Sequence, residues 1–389
     1  MESSLLLDGG AEGESASNSF VNGQLLVQFK PGTTQEQIQQ ILAAENATVA
    51  RTFYGLDNMA LVNLSWYTPD QSNPTPHYVT WVAAQNWEMK PQIEFAEPNY
   101  YRYTTATPND PLYPWLWGLN NNGTTGAVID ADIDAAEAWD VYTGSESVVV
   151  AVLDSGVDYT HPDLAGNMWV NPGEIAGNGI DDDSNGWIDD VHGIAPGVGA
   201  TSGDPLDRDL ETGHGTHVAG TIGAVGNNGI GVTGVNWDVQ IMALNVLFDD
   251  TGASSGTSAV IVAGLSYVTM MKQQYGVNVV VSNHSYGGAG ESNAERAAIQ
   301  AHIAAGISYV CAAGNDSENN DTVPFFPASY DIPEMITVAA STYAEMPASF
   351  TNYGKLSVDL FAPGEEILST APPYITSADL MFFDGAGYQ

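Results

Sequence analysis

Val148-Val149-Val150-Ala151-Val152-Leu153-Asp154-Ser155-Gly156-Val157-Asp158 decides the fold. Six apolar residues run together without a polar break. A strand with one solvated face alternates apolar and polar residues, whereas a strand buried on both faces does not. The run therefore reads as an inner strand of a parallel sheet, with Asp154 at its C-terminal exit. An Asp fixed there is poorly hydrated. It can hold an imidazole in one tautomer and stabilise it when protonated; an ordinary turn Asp is the alternative.

Further apolar strands are predicted at 240–244, 277–281, 307–311 and 336–339. Helical stretches are predicted between them, near 214–225, 257–273 and 291–305. Alternating strand and helix predicts an α/β fold, a doubly wound, mostly parallel sheet flanked by helices. Upstream lies a different pattern, a small α+β unit over 20–103. A strand at 24–29 precedes a helix that starts at Thr33-Thr34 and places Ile38, Ile41 and Leu42 on one face. A strand at 59–64, a helix at 80–88 and an extended stretch at 93–98 follow. Thr105-Ala106-Thr107-Pro108-Asn109-Asp110-Pro111 reads as a linker. Residues 1–19, rich in Ser, Gly and Glu, read as a disordered leader.

The chain has 389 residues, 44% of them hydrophobic, with 47 Asp and Glu against 8 Lys and Arg, a formal net charge of −39. Such a surface repels nucleic acid and anionic membrane, both of which need cationic side chains to meet phosphate. It suits cation binding or high salt, where self-repulsion is screened. Cys311 is the single cysteine, so an internal disulfide is excluded, and its apolar neighbours mark it as a small buried hydrophobe. No apolar stretch approaches the ~18 residues of a membrane span. The start has a short Leu5-Leu6-Leu7 run and no basic region, so no signal peptide is read there. Either export is absent or the chain lacks its true start.

Two more motifs carry chemistry. Gly213-His214-Gly215-Thr216-His217-Val218-Ala219-Gly220-Thr221 places His214 at a helix start between glycines that let backbone pack closely. Its two histidines lack the third ligand and the spacing of a zinc site. His214 reads as a general base and His217 as structural. Ala312-Ala313-Gly314-Asn315-Asp316 follows the strand ending at Cys311. Asn315 there can aim its amide N–H at an oxyanion, or be a plain turn residue. With the Asp154 motif, these resemble the subtilisin-like serine proteases in content and order, over most of residues 108–385. Asn283-His284-Ser285-Tyr286-Gly287-Gly288, Ala348-Ser349-Phe350-Thr351-Asn352-Tyr353-Gly354 and Phe361-Ala362-Pro363-Gly364 add to the likeness.

The resemblance implies Asp154, His214 and Asn315 as orienting acid, base and oxyanion donor. It implies an S1 pocket between Ser285, Tyr286, Gly287 and Ala312, Ala313, Gly314, suited to apolar groups, with Asp316 near the rim leaving a basic one open. Residues 20–103 resemble the family's propeptide, an intramolecular chaperone and inhibitor, and Glu97-Pro98-Asn99-Tyr100 the stretch before its cleavage. Residues 104–389 then form the peptidase domain, expected to be C-terminally incomplete. The family's nucleophile lies in a Gly-Thr-Ser-Met-Ala segment; here Gly387 stands at the serine's place, and glycine has no nucleophilic atom. Gly256-Thr257-Ser258-Ala259 imitates the segment but precedes Asn315 and opens an apolar helix, so Ser258 reads as a helix cap.

Asp181, Asp183, Asn185 and Asp189 fall at positions 1, 3, 5 and 9 of an acidic loop, with Trp187 offering a carbonyl at 7. That spacing matches oxygen-rich Ca²⁺ loops, although His192 replaces the usual Glu at the last position. The resemblance implies a second calcium at Asp110, Asp163, the Asn228 side chain and the carbonyls of Ile230 and Val232. The expected product is a secreted, monomeric, calcium-stabilised serine endopeptidase acting on protein or peptide substrates. Its own propeptide is a further partner, and it has no organic cofactor. The alternatives are a non-catalytic peptide-binding pseudoprotease and an inactive truncation product.

Overall fold

A computed structural model describes residues 20–56, 58–65, 76–100, 106–123, 128–198, 201–247 and 256–375. The chain divides into two compact units, Met1–Thr104 and Thr105–Gln389.

The first unit is an antiparallel sheet with two helices on one face. Its elements are β1 (Phe20–Phe29), α1 (Gln35–Ala44), β2 (Ala47–Thr52), β3 (Met59–Leu64), α2 (Pro76–Glu88) and β4 (Ile93–Tyr100), with sheet order β2-β3-β1-β4. Alternate residues of β1, namely Leu25, Val27 and Phe29, are buried against Ile38 and Leu42 of α1 and Ala83, Ala84 and Trp87 of α2. Period-two burial on a strand and period 3.6 on a helix make these faces meet. Thr34 caps α1 in a capping box with Gln37. β2 escapes the sequence reading because a single residue of it, Ala47, is buried, so an edge strand leaves no alternation to find.

The second unit is the doubly wound parallel domain. In chain order it holds α3 (Ala135–Trp139), β5 (Gly144–Asp154), β6 (Gly193–Ile194), α4 (His214–Gly223), β7 (Asp238–Asn245), α5 (Ser258–Gln274) and β8 (Val279–His284). α6 (Asn293–Ala304), β9 (Ser308–Ala312), β10 (Met335–Ser341) and β11 (Leu360–Pro363) follow. The seven strands lie in the order β11-β10-β9-β8-β5-β7-β6, and the paired strands run parallel.

β5 shows why the apolar run has no break. Val149, Ala151 and Leu153 pack with Leu265 and Val268 of α5 and Ile299 of α6. Val150 and Val152 pack on the other side with Ala219 of α4. The chain leaves β5 for β6 and β7 on one side and then crosses to β8 on the other, so the topological switch lies at β5 and β8. Ligands of open α/β sheets bind at the carboxyl ends of strands at such a point. The α4 side is covered less far: Ile336 of β10 and Leu360 of β11, which share a face by register through Val310 and Val338, are exposed among the described residues.

Ser258 is not the cap of α5. Thr257 is, its hydroxyl accepting the Val260 N–H at 3.5 Å, and Ser258 is the first helical residue. Either side chain suits the role; the helix simply starts one residue later than the capping assignment required. Cys311 is buried, and burial pushes its thiol up to about 12.

With a net charge of −39, self-repulsion opposes the compact state. Raising NaCl from low to molar concentration should raise the thermal unfolding midpoint, because the Debye length falls from about 10 Å at 0.1 M to about 3 Å at 1 M. A midpoint that falls or stays flat in a calorimetric salt series would show that charge repulsion does not limit this fold.

Candidate active site

β5 ends on Asp154 and α4 begins on His214. The Asp154 side chain is fully buried, and His214 Nδ1 donates to its Oδ1 at 2.7 Å. The same oxygen accepts the Ser155 N–H at 2.7 Å, while Oδ2 is buried with no hydrogen-bond partner among the described residues. The His214 side chain is 46% exposed, so the ring is anchored on one edge and open on the other. With Nδ1–H committed to a carboxylate, the neutral ring carries its free lone pair on Nε2. That is the arrangement a general base needs.

Two glycines permit the close packing at the helix start, Gly213 against Pro372 and Gly215 against the exit of β5. Gly213 sits at φ +61°, and a Cβ there would lie 2.2 Å from Cδ of Pro372. A Cβ on Gly215 would lie 2.1 Å from the carbonyl oxygen of Gly156. Gly213 brings no capping side chain, so two acids supply the acceptors instead. Asp209 accepts the Thr212 hydroxyl and the N–H groups of Glu211 (3.0 Å), Thr212 (3.1 Å) and His214 (3.3 Å). Asp207 accepts the Ser155 hydroxyl at 2.9 Å, the Thr216 N–H at 3.0 Å and the Thr216 hydroxyl at 2.5 Å. Carboxylates at a helix N-terminus are favoured by the helix dipole as well. Sequence reading passed over both acids, because neither sits at the N-cap position where a capping signal is sought.

Burial pushes the Asp207 carboxyl up to about 7, despite these donors. Burial also raises Asp209, but its donors outweigh burial and leave it below the ordinary carboxylate value. For His214, burial disfavours the imidazolium. The hydrogen bond and charge of Asp154, with the charges of Asp209 and Asp207, outweigh that and raise its pKa.

Asn315 lies three residues beyond the end of β9, at the same end of the sheet, and is exposed. Two buried asparagines hold the turn that carries it. Asn352 Oδ1 accepts the N–H groups of Asp316 (2.8 Å) and Glu318 (3.0 Å), and its Nδ2 donates to the Ala313 carbonyl at 3.2 Å. Asn320 Nδ2 donates to that carbonyl at 2.8 Å. Ser285, Tyr286 and Gly287 follow β8, the strand beside β9. Tyr286 is tied inward, its hydroxyl bonded to His284 Nδ1 at 2.9 Å. His284 Nε2 meets Ser282 Oγ at 2.8 Å, and that hydroxyl meets His302 Nε2 at 2.9 Å. Burial holds both histidines well below their ordinary value, His302 to about 4. His217 donates from Nε2 to the Ile367 carbonyl at 3.0 Å.

The acidic loop folds around a centre that its spacing does not reveal. Glu174, Asp183 and Asp190 each place a carboxylate oxygen within 4.8 Å of the others. Asp190 is buried; Tyr267 donates to its Oδ2 at 2.5 Å and Asn185 at 2.9 Å, while its Oδ1 has no partner among the described residues. Burial, with the charges of Asp183 and Glu174, pushes it up to about 6. Such a cluster of oxygens can hold a metal ion. Of the residues read from spacing, Asp183 belongs to the cluster and Asn185 bonds to it. Asp181 instead accepts the N–H groups of Asn185 (3.0 Å) and Gly186 (2.9 Å), and Asp189 those of Asn178 and Gly179 (both 3.0 Å). The Trp187 ring packs edge-on against Tyr267.

The other set is also brought together. Asp110 accepts the N–H groups of Asn227 (2.6 Å) and Asn228 (3.2 Å). Asp163 accepts the Asn228 amide at 2.7 Å and the Val232 N–H at 3.0 Å. Ile230 donates its N–H to Asn228 Oδ1 at 2.7 Å. Burial raises the Asp110 carboxyl above its ordinary value. Gly387 lies outside the described residues.

Comparison with known proteins identifies the family and the fold. The model of the subtilase family matches residues 145–381, and that of the fervidolysin N-terminal prodomain matches residues 8–99. The chain is 31% identical over 357 residues to a thermophilic serine proteinase of Bacillus sp. (strain AK1), covering 90% of this chain and 72% of that protein. It is 32% identical over 295 residues to an extracellular basic protease of Dichelobacter nodosus, covering 72% of this chain and 45% of that protein. The crystal structure of fervidolysin from Fervidobacterium pennivorans shares the fold, with a TM-score of 0.51 at 23% identity. The match covers 96% of this chain and 52% of that one.

A histidine whose pKa is raised in the fold stabilises it fully below about 6.5, its ordinary value, and loses that contribution as pH rises through the folded value. NMR titration should place His214 above the ordinary value, and Asp154→Asn should move it down. Urea denaturation from pH 5.5 to 8.5 should show wild type losing stability relative to Asp154→Asn. An unmoved His214 titration in the variant would separate the two residues.

Proposed function

The chain belongs to the subtilase family and carries a fervidolysin-like N-terminal prodomain, and from that premise we propose that its second unit is the peptide-hydrolysing machinery of a serine endopeptidase. The observation that carries this reading is the 2.7 Å bond from His214 Nδ1 to the buried Asp154, with the opposite edge of the ring exposed. His214 takes the proton from a serine hydroxyl at Nε2 and passes it to the leaving amine. Asp154 holds the tautomer and stabilises the imidazolium that forms. Asn315 donates its amide N–H to the tetrahedral oxyanion. The substrate lies extended along Ser285–Gly287 and is held by backbone pairing. Protein or peptide substrates and the chain's own prodomain are the partners of this reading, and the extracellular relative supports a secreted setting.

Gly387 favours a second reading. It stands where the resemblance puts the nucleophile, so the 389-residue chain binds peptide in the cleft without cleaving it. A fluorophosphonate probe with casein turnover separates the two. The second reading expects no label on any serine, Ser258 included, together with saturable binding of an extended peptide. Label and turnover that both vanish in His214→Ala would restore the endopeptidase reading to this chain. Neither label, nor turnover, nor peptide binding would sink both.

Calcium is proposed at Glu174, Asp183 and Asp190. The fit rests on three converging carboxylates and on the orphaned, buried Oδ1 of Asp190, a hard oxygen donor set for a hard cation. The ion would neutralise the charges that raise Asp190 and tie the 174–190 loop to α5 through Tyr267. A second ion at Asp110, Asp163, Asn228, Ile230 and Val232 fits less directly, since N–H groups already face both carboxylates. Chelation should lower the unfolding midpoint. Ca²⁺ at a hundred times its Kd should restore about 2.7 kcal/mol. Asp190→Asn should blunt that response, and a calorimetric titration without Ca²⁺ uptake would remove the ion from this account.

A further inference from the structure

We propose that Phe325 fills the slot between Ser285–Gly287 and Ala312–Gly314, so that the residue preceding the scissile bond is restricted to small side chains such as Ala or Ser. The inference rests on the peptide-cleft reading above and narrows its substrate class.

The two walls leave neighbouring strands, β8 and β9, and each ends in a glycine. A Cβ built on Gly287 would lie 2.2 Å from Cε1 of Phe325 and 2.6 Å from its Cζ. A Cβ built on Gly314 would lie 3.0 Å from the same Cε1 and 3.0 Å from Cδ1. One edge of one ring therefore faces both glycines. The Phe325 ring occupies the space between the two glycines, with Asn352 Nδ2 2.4 Å from the Cβ position of Gly314 and the Phe326 carbonyl oxygen 2.7 Å from that of Gly287 closing the rest.

The backbone holds the ring in place. Gly288 and Phe326 exchange N–H···O bonds of 2.8 and 2.7 Å, an antiparallel bridge that locks the segment to the first wall. The Phe325 N–H donates to the Ser329 hydroxyl at 2.9 Å, and its carbonyl accepts the Ser329 N–H at 2.8 Å. The half-buried side chain also packs against the main core of the domain. A benzyl or isobutyl substrate group needs the volume that this ring already occupies. Interiors are close-packed, so the two do not fit together without displacing a wall. A methyl or hydroxymethyl group, seated nearer the mouth, does not reach it.

The test uses the full 389-residue chain and fluorescein-labelled peptides identical except for Ala, Val, Leu or Phe at the position before the scissile bond. Binding is read by anisotropy, and turnover by release of the labelled fragment. Wild type should favour the Ala peptide over the Phe peptide by at least about 10-fold. Phe325→Gly and Phe325→Ala should raise affinity for the Phe peptide by a similar factor and so remove the preference for the Ala peptide. Phe325→Leu, which keeps an apolar side chain against the core, should fall between them, and thermal melts show which variants are folded. Equal affinity of wild type for the Ala and Phe peptides would overturn the proposal while leaving the cleft intact. So would an unchanged preference in the folded variants. No binding or turnover of any peptide by wild type and the folded variants would overturn the cleft reading, and this one with it.

Discussion

Gly215 has no room for a side chain, because the carbonyl oxygen of Gly156 lies where its Cβ would be. That contact presses the first turn of α4 onto the exit of β5, and much of the site follows from it. A side chain at position 215 would lift the helix and take His214 away from Asp154. Asp154 itself cannot follow, since the strand behind it is buried on both faces. The dyad thus joins a fixed point on the sheet to a helix held by close backbone approach. Asp207 completes the clamp, taking a hydroxyl from Ser155 on the strand side and two donors from Thr216 on the helix side.

A chain with 47 acidic residues has to place many carboxylates, and this one uses the buried ones in distinct ways. Asp154 meets an imidazole, the partner that makes its charge useful. Asp207 and Asp209 meet the N–H and hydroxyl donors of a helix start. Asp110 and Asp163 meet the N–H groups of the 227–232 loop. Glu174, Asp183 and Asp190 meet one another, and burial raises the first and the last. Hydrogen-bond donors reach all three, but no cationic side chain does among the described residues, and Oδ1 of Asp190 is left without a partner, which is costly for a buried carboxylate. The cluster is therefore a place where added positive charge would offset carboxylate repulsion.

The fold was legible where burial writes a period into the sequence. The unbroken run 148–153 announced a strand covered on both faces, and Ile38 with Leu42 announced the inner face of α1. β2 and the two-residue β6 were not legible, because a short edge element buries too little to leave a pattern. At the candidate site, Asp154, His214 and Asn315 drew notice because each follows or opens a recognisable element, and the structure brings the first two into contact. Asn352 lay inside a quoted motif without a role, since its work is to brace the turn around Asn315 from a distant segment. Glu174 and Asp190 were missed because spacing along a loop says nothing about which oxygens converge. Phe325 was missed for a related reason: the two glycines it touches are visible in their motifs, but the ring between them is not local to either.

The two faces of the sheet divide the labour at its carboxyl end. On the α5–α6 side the inner strands are covered, while Phe361 of the edge strand β11 is exposed among the described residues. Tyr309 and Cys311 are buried there, and His284 stacks on Tyr309 with ring centroids 3.7 Å apart. His284 then reaches Tyr286, in one wall of the proposed cleft, so that segment is anchored through a hydrogen-bonded chain running into the core. The opposite face contributes His214 at the head of α4, a helix that covers β5 and β7 but leaves Ile336 and Leu360 exposed among the described residues. Tyr286 is thus rooted in the α5–α6 side of the domain, and His214 stands on the α4 side. Close packing makes the rooted side resist deformation. If Phe325 plugs the slot as proposed, it sets a size limit because both walls it touches grow from close-packed strands.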